Sequence, residues 1–381
     1  MVAKMYFDIS HMRFDAKGKV NVSINEGEIF LSNHDEWRRQ FLKGKWYQEY
    51  GNSVGRFLPD SVFRYAELQL SETGIISGDD FQKEYLRLFD HRDQTIQALL
   101  TFLWLVRDNS VGLYGTFGEI PQMKLVNGKS RSIASRNCLG LTEDTFFSQD
   151  DLQLVGAIVT KFSSIRDYTP TDNYDVHILY DYDGNSTTPI KGLASRTPTK
   201  FDYKNQNCLD RALNFLVVAR SQNYLFYRVA YYMPVFECLF NTSGTEIQYR
   251  MGHRVSCYIS DLPLERKSIF EKIFKGYNYR SKFIHGQESQ FIESELQSLS
   301  ADLDGFLRKI ILQIMDKDLD IFTKWPSDDR GKYLDSLIYG LPFDRKSIND
   351  KIISAEADRK KTIELQEEKK RKKAEYDERR E

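Results

Sequence analysis

The 381-residue sequence predicts an α+β protein. A mixed α/β domain over residues 1–200 is followed by an all-α helical bundle, 201–320, and a C-terminal extension with a charged helix, 321–381. Three observations carry that reading. Short β-branched or alternating segments, separated by turn residues, crowd the first third of the chain. From Asn205 onward apolar residues recur at helical spacing through five successive runs. After Ser354 the apolar stripe stops, and ten basic and nine acidic residues mix over 354–381.

In chain order, "KMYFDISHMRF" (4–14), "KVNVSI" (19–24) and "EIFLS" (28–32) read as strands, with "DAKGK" and "NEGE" as turns between them. Residues 80–106 read as a helix, and beyond Thr95 its apolar residues point to nearly every side, which predicts burial. "VGLYGTFGEI" (111–120) and "MKLVNGKSRSI" (123–133) predict hairpin structure around an Asn127-Gly128 turn. A second helix is expected over 150–165, capped by Asp150 or Ser148. Asp, Asn, Thr, Pro and Gly then accumulate over 166–204 around one short strand, "DVHILYDY" (175–182), and the domain boundary is expected between 190 and 205. The five helical runs follow, with Pro234 in the second expected to kink it or start a new helix. Short polar loops between them imply an antiparallel bundle. The charged tail suits a solvated helix held by i,i+4 pairs rather than a coiled coil.

Bulk composition limits the function classes. With 54 basic and 55 acidic residues, the whole-protein charge makes no case for nucleic acid or membrane, so any anion site must be local. Cys138, Cys208, Cys238 and Cys257 are scattered without a CxxC pair, which predicts free thiols, no zinc site and a reduced, cytoplasmic setting. "MVAKMYFDIS" lacks the apolar core of an export signal, and the most apolar run, near residue 100, is about half the length of a membrane span. A soluble chain with no membrane partner is expected.

The stretch with chemical content is "YNYRSKFIHG" (277–286). Arg280, four residues, then His285 and Gly286 resemble the Rx4–6H motif of the HEPN superfamily, in particular its Apea-like branch. Upstream, "PVFECLFNTSGTEIQYRMGHRVSCYI" (234–259) is similar to that branch's pattern of a Glu-containing helix, a short loop and an Arg-containing helix, with Glu237 and Arg254 at the matching positions. The resemblance covers about 205–316. In the wider superfamily the residue after the arginine is often Asn, Asp or His; here it is Ser281, as in the Apea-like branch. The resemblance implies metal-independent cleavage of RNA without a cofactor, by a homodimer whose two motifs meet across a two-fold axis. It further implies a setting in antiviral, abortive-infection defence. It also implies a sensing or regulatory role, with a trigger partner, for the variable N-terminal part, where no site is recognisable.

The residue chemistry agrees with that activity. Metal-free cleavage of an RNA phosphodiester uses the neighbouring 2′-OH as nucleophile, which requires a proton carrier near neutrality and a fixed cation for the phosphate. Histidine, with a reference pKa near 6.5, suits the first role. Arginine, always charged and able to grip two oxygens, suits the second. Helical geometry complicates the pair: five residues at about 100° each set Arg280 and His285 roughly 140° apart. Ser281 shares a face with His285, whereas Arg280 aligns with Ile284. Two devices resolve this: Gly286 ending the helix and freeing His285, and a second copy completing the site. Lys282 and Asn278 add phosphate or ribose contacts.

The structural alternative is a non-catalytic RNA-binding or protein-interaction module. There His285 caps the last carbonyls of its own helix, and Arg280 pairs with an acid on a neighbouring one. Glu237 and Arg254 are read as an ion pair holding the bundle. Other candidates carry less. "VNGKS" (126–130) lacks the leading glycine of a phosphate-binding loop, since position 123 is Met123. His91 and His177 have acids nearby without a second histidine at metal-ligand spacing. His11, His34 and His253 are isolated, with His253 a candidate for the bundle's polar network. "KKRKK" (369–373) reads as a solvated helix face.

Overall fold

The computed structural model describes residues 2–14, 19–24, 27–32, 62–69, 89, 93, 95–120, 125–130, 135–163, 180–181, 206–242, 244–287 and 292–378. It is an α+β chain whose bulk is helical. The boundary expected at 190–205 lies outside the described residues.

Strands β1 (Val2–Ser10), β3 (Lys19–Ile24), β4 (Gly27–Ser32), β5 (Val62–Gln69), β6 (Gly112–Ile120), β7 (Leu125–Ser130) and β9 (Tyr180–Asp181) form one sheet in the order β3-β4-β5-β1-β6-β7-β9, with every pair antiparallel. Central β1 buries Phe7 and Ile9, the period-two alternation of a half-buried strand. His11, at φ 57°, then turns the chain into β2 (Met12–Phe14), which pairs in parallel with β8 (Thr145–Phe147). Asp144 clamps this corner by accepting from Arg13 Nε at 2.9 Å, with His11 Nδ1 at 3.2 Å. The predicted turn at Asn127-Gly128 is not a turn. Both residues sit inside β7, opposite Gly118 and Phe117, and the ladder continues to Leu125↔Ile120. A six-pair ladder outweighs the local preference of one dipeptide, and the connection falls at 121–124, outside the described residues.

Helix α1 (95–106) buries residues on all sides, among them Ile96, Leu99, Leu103 and Trp104, as its sequence predicts. Helix α2 (Gln149–Ser163) is capped by Ser148, not Asp150. Ser148 Oγ accepts from the Asp151 N–H at 3.1 Å, and Asp151 accepts from the Ser148 N–H at 2.9 Å, a reciprocal capping box.

The five apolar runs become α3 (Cys208–Arg220), α4 (Leu225–Phe240), α5 (Ile247–Ile259), α6 (Pro263–Ile284) and α7 (Glu293–Gln313). Helix α4 packs against all four others, and passes through Pro234 without starting a new helix. Proline removes the hydrogen bond to the Ala230 carbonyl, but with ten buried residues on this helix, packing outweighs that loss. A π turn (Ile314–Asp318) then leads into α8 (Leu319–Thr323), α9 (Ser327–Tyr339) and α10 (Arg345–Glu378). The buried core does not pause at position 320. Ile321, Phe322, Trp325, Tyr333 and Leu334 join it, so α8 and α9 belong to the bundle, and only α10 projects. Its root is fixed by Arg345, which donates to the buried Asp318 carboxylate at 2.7 Å and lies over the Tyr333 ring at 4.6 Å.

The same core also runs unbroken from the sheet into the bundle. At the junction the fully buried Asp304 of α7 accepts from Trp104 Nε1 (α1) and Tyr232 OH (α4), both at 2.8 Å, and from Arg308 Nε at 3.0 Å. Burial raises the pKa of this carboxyl above the usual range. Asp304→Ala leaves three donors without an acceptor, and the expected loss is about 3–5 kcal/mol in urea-induced unfolding. Asp304→Asn, which keeps an acceptor oxygen, is expected to lose less than half of that; equal losses would show that one neutral acceptor oxygen does not hold the Trp104 and Tyr232 donors.

Candidate active site

The end of α6 is positioned by packing against α4. Gly276 makes the close approach possible, since a Cβ there would stand 3.0 Å from Met233 Cε and 3.2 Å from Leu303 Cδ1. Two turns on, Phe283 meets the Tyr227 ring edge-on at 4.9 Å and the Phe226 ring at 5.8 Å. The helix stops at Ile284, with His285 as C-cap and Gly286 in the left-handed region at φ 61°. Gly286 N–H donates to Phe283 O at 3.1 Å and Gln287 N–H to Lys282 O at 3.0 Å, the two bonds of a Schellman motif. A side chain at 286 would be strained by that φ, not by crowding, because nothing lies within 4 Å of its Cβ position.

His285 is exposed, and its imidazole makes no hydrogen bond or ion pair among the described residues. It caps no carbonyl with its side chain; only its backbone N–H does so, donating to Ser281 O at 3.1 Å. Arg280 takes a different direction. Its Nε stands 3.9 Å from Glu237 Oε1 of α4, too long for a hydrogen bond, and its guanidinium lies over its own helix's Tyr277 ring at 5.7 Å. Both partners are about three-quarters buried, and neither Arg280 Nε nor Glu237 Oε1 has a hydrogen-bond partner. The remaining predicted residues diverge. Asn278 faces α5, where its Oδ1 accepts from Gln248 Nε2 at 2.9 Å. Lys282 is exposed and Ser281 half-buried. One chain therefore does not gather Arg280, Asn278, Lys282 and His285 around a single point.

The expected Glu237–Arg254 ion pair is not formed. Arg254, 1% exposed, donates from Nε to Asp335 of α9 at 2.8 Å, and from Nη1 to Phe240 O at 2.7 Å and Thr242 Oγ1 at 3.0 Å. The physical reason is the C-terminus of α4: its last carbonyls need donors, and Arg254 reaches them while Glu237, one turn earlier, faces α6. Asp335 lies beyond position 320, where no sequence pattern marked it as part of the bundle.

Arg280 and Glu237 open onto a cleft of about 750 Å³ between α3, α4, α6 and the start of α9. Its walls include two further arginines, Arg211 and Arg330, the thiols Cys208 and Cys238, and apolar Phe215 and Trp325. Burial pushes the Cys238 thiol up to about 11 and raises Cys208 as well, so neither supplies a thiolate near neutral pH. His285 is not among the walls. Arg211 and Arg330 carried no signal in the sequence: "DRAL" and "DDRG" look like ordinary solvated helix starts. Only the packing of α3 against α8, which leads into α9, brings them to one cleft.

No family model, curated protein or solved structure matches the chain.

Among the described residues, no three His, Cys, Asp or Glu side chains stand close enough to hold a metal ion. His34, His91 and His177 lie outside the described residues. His253 is held by aromatic rings rather than by a polar network, with Tyr249 at 4.5 Å and Phe270 at 4.7 Å between centroids.

Two expectations follow from these contacts. In double-mutant cycles, Arg254 and Asp335 should couple by about 1–3 kcal/mol, while Arg254 and Glu237 should be additive within about 0.5 kcal/mol. Burial lowers the His253 pKa, so the folded state resists its protonation. Stability should therefore fall as pH drops through the ordinary histidine value of about 6.5, and His253→Phe should flatten that part of the profile while keeping the ring contacts.

Proposed function

We propose that this protein is a metal-independent endoribonuclease of the HEPN type, acting on RNA as a homodimer. His285 moves the proton to or from the 2′-OH and leaving oxygen, and Arg280 neutralises the developing charge on the phosphate. The observation that supports this is the contrast at the end of α6. An exposed imidazole with no partner among the described residues sits on a fixed helix terminus, five residues after an arginine whose Nε has no hydrogen-bond partner. Their divergence around the helix supports a shared site, with Arg280 of one copy facing His285 of the other. In this reading Glu237 is a positioning residue that holds the guanidinium from behind. The setting in antiviral defence and the regulatory role of the N-terminal part are proposed from the resemblance alone.

The Arg280–Glu237 contact favours a second reading, in which the bundle is a non-catalytic RNA-binding or interaction module and the motif is structural. The two separate in one experiment. Purified wild type, Arg280→Ala and His285→Ala are incubated with total cellular RNA, with and without chelator, and their melting temperatures are recorded. The ribonuclease reading expects each variant to lose about a hundredfold or more of the cleavage rate, no effect of chelator, and an unchanged melting temperature for His285→Ala. Equal cleavage by all three proteins, or abolition by chelator, would sink it. A marked fall in melting temperature for Arg280→Ala, without any cleavage by wild type, would select the second reading.

A further inference from the structure

The cleft beside Arg280 holds a charge that the described residues leave unanswered. Arg330, in the first turn of α9, is 6% exposed. Its guanidinium makes no hydrogen bond or ion pair among the described residues, and its Nε is sealed from solvent without a partner. Removing a guanidinium from water without a counter-ion is costly, and such a group is stable in a fold chiefly where an anion can reach it. The other buried arginines differ. Arg220, Arg228 and Arg254 each spend their terminal nitrogens on backbone carbonyls.

Two further cations line the same cleft. Arg211, which also donates to the Gln206 carbonyl at 2.7 Å, and Arg280 join Arg330, so among the described wall residues three guanidinium groups stand with one carboxylate, Glu237. Two helices of thirteen residues each also begin at the cleft. Asn207, Cys208 and Arg211 belong to the start of α3, and Ser327 and Arg330 to the start of α9, so the positive ends of two helix dipoles border the cleft. The C-terminus of α4, which would oppose an anion, is covered: Arg254 occupies the Phe240 carbonyl and the Asn241 N–H that of Glu237. Asp328 and Asp329, in the first turn of α9, are not among the walls. The volume, about 750 Å³, lies within the range of small-molecule sites.

We propose that this cleft binds the phosphate group of a phosphate ester, with Arg330 as the principal counter-ion and Arg211 and Arg280 beside it. Guanidinium groups on three different helices suit the tetrahedral spread of phosphate oxygens, and the Phe215 and Trp325 side gives an ester an apolar wall. The inference stands on Arg330 and does not require RNA cleavage. A protein that binds phosphate here and cuts no RNA would keep this proposal and lose the catalytic one.

The test is thermal unfolding and isothermal titration of the full chain with inorganic phosphate, adenosine monophosphate, adenosine, and a short oligoribonucleotide without terminal phosphates. Wild type is expected to gain a few degrees at about a hundredfold excess of the phosphate-bearing ligand over its Kd, and nothing from adenosine. Response to the monophosphate identifies a free ester as the source; response to the oligoribonucleotide alone identifies the RNA backbone. In Arg330→Met the ligand-free melting temperature is expected to stay level or rise, because an unpaired buried cation has been removed, while the ligand response disappears. Arg211→Gln, which leaves Arg330 in place, is expected to weaken binding about tenfold and serves if the first variant does not fold. The proposal is overturned if adenosine matches the monophosphate, if neither phosphate source binds, or if Arg330→Met binds as wild type does.

Discussion

The carboxylate of Asp304 is the point on which the architecture turns. It lies on α7, yet its acceptor capacity is used by Trp104 of α1 and Tyr232 of α4, more than seventy residues away in each case. A buried carboxylate is tolerable only when its lone pairs are filled, and here filling them requires the sheet-side helix and the central bundle helix at once. Arg220 extends the arrangement by lying over the Trp104 ring at 5.7 Å and donating to the Asn109 carbonyl at 2.8 Å. Burial pulls the Arg220 pKa down to about 10, which still leaves it charged at neutral pH. Helix α1 and the bundle are thereby tied together at this seam.

The distribution of buried cations separates structure from function more clearly than the motif does. Arg228 and Arg254 tie loops and a helix end with their terminal donors, and their conformations follow from the carbonyls they serve. Among the described residues, Arg330 and Arg280, in one cleft, serve no carbonyl in this way, although Arg280 stands 3.9 Å from Glu237. The central helix α4 supports both patterns: its C-terminal carbonyl engages Arg254, while one turn earlier it offers Glu237 to the cleft. Helix α9 makes the same division, with Asp335 turned to Arg254 and Arg330 turned to the cleft.

Much of the fold was legible in the sequence because hydrophobic periodicity is local. The five helical runs and the first strands emerge with boundaries within a few residues of those read from spacing. What failed depended on partners distant in sequence. Asn127-Gly128 carries a turn signature, yet the six-pair ladder with β6 draws it into a strand. The expected partner of Arg254 is Glu237, whereas Asp335, eighty-one residues on, holds it. The bundle is expected to end at position 320, although Phe322, Trp325 and Tyr333 close the core from the other side. Of the candidate site, the histidine and the helix stop could be read from the motif itself. The cationic cleft could not, since Arg211 and Arg330 look like any polar residue at the start of a helix.

The Schellman turn after His285 also has an entropic consequence. Two backbone hydrogen bonds fix the main chain at 286 and 287, so His285 keeps freedom only about its two side-chain torsions. A histidine on a frayed terminus would lose backbone freedom as well on engaging a ligand, at about 1–2 kcal/mol per residue. Here that ordering is already complete in the folded chain. Whatever docks against the end of α6 meets an imidazole whose attachment point is as rigid as the helix that carries it, while the ring itself remains free to turn toward its partner.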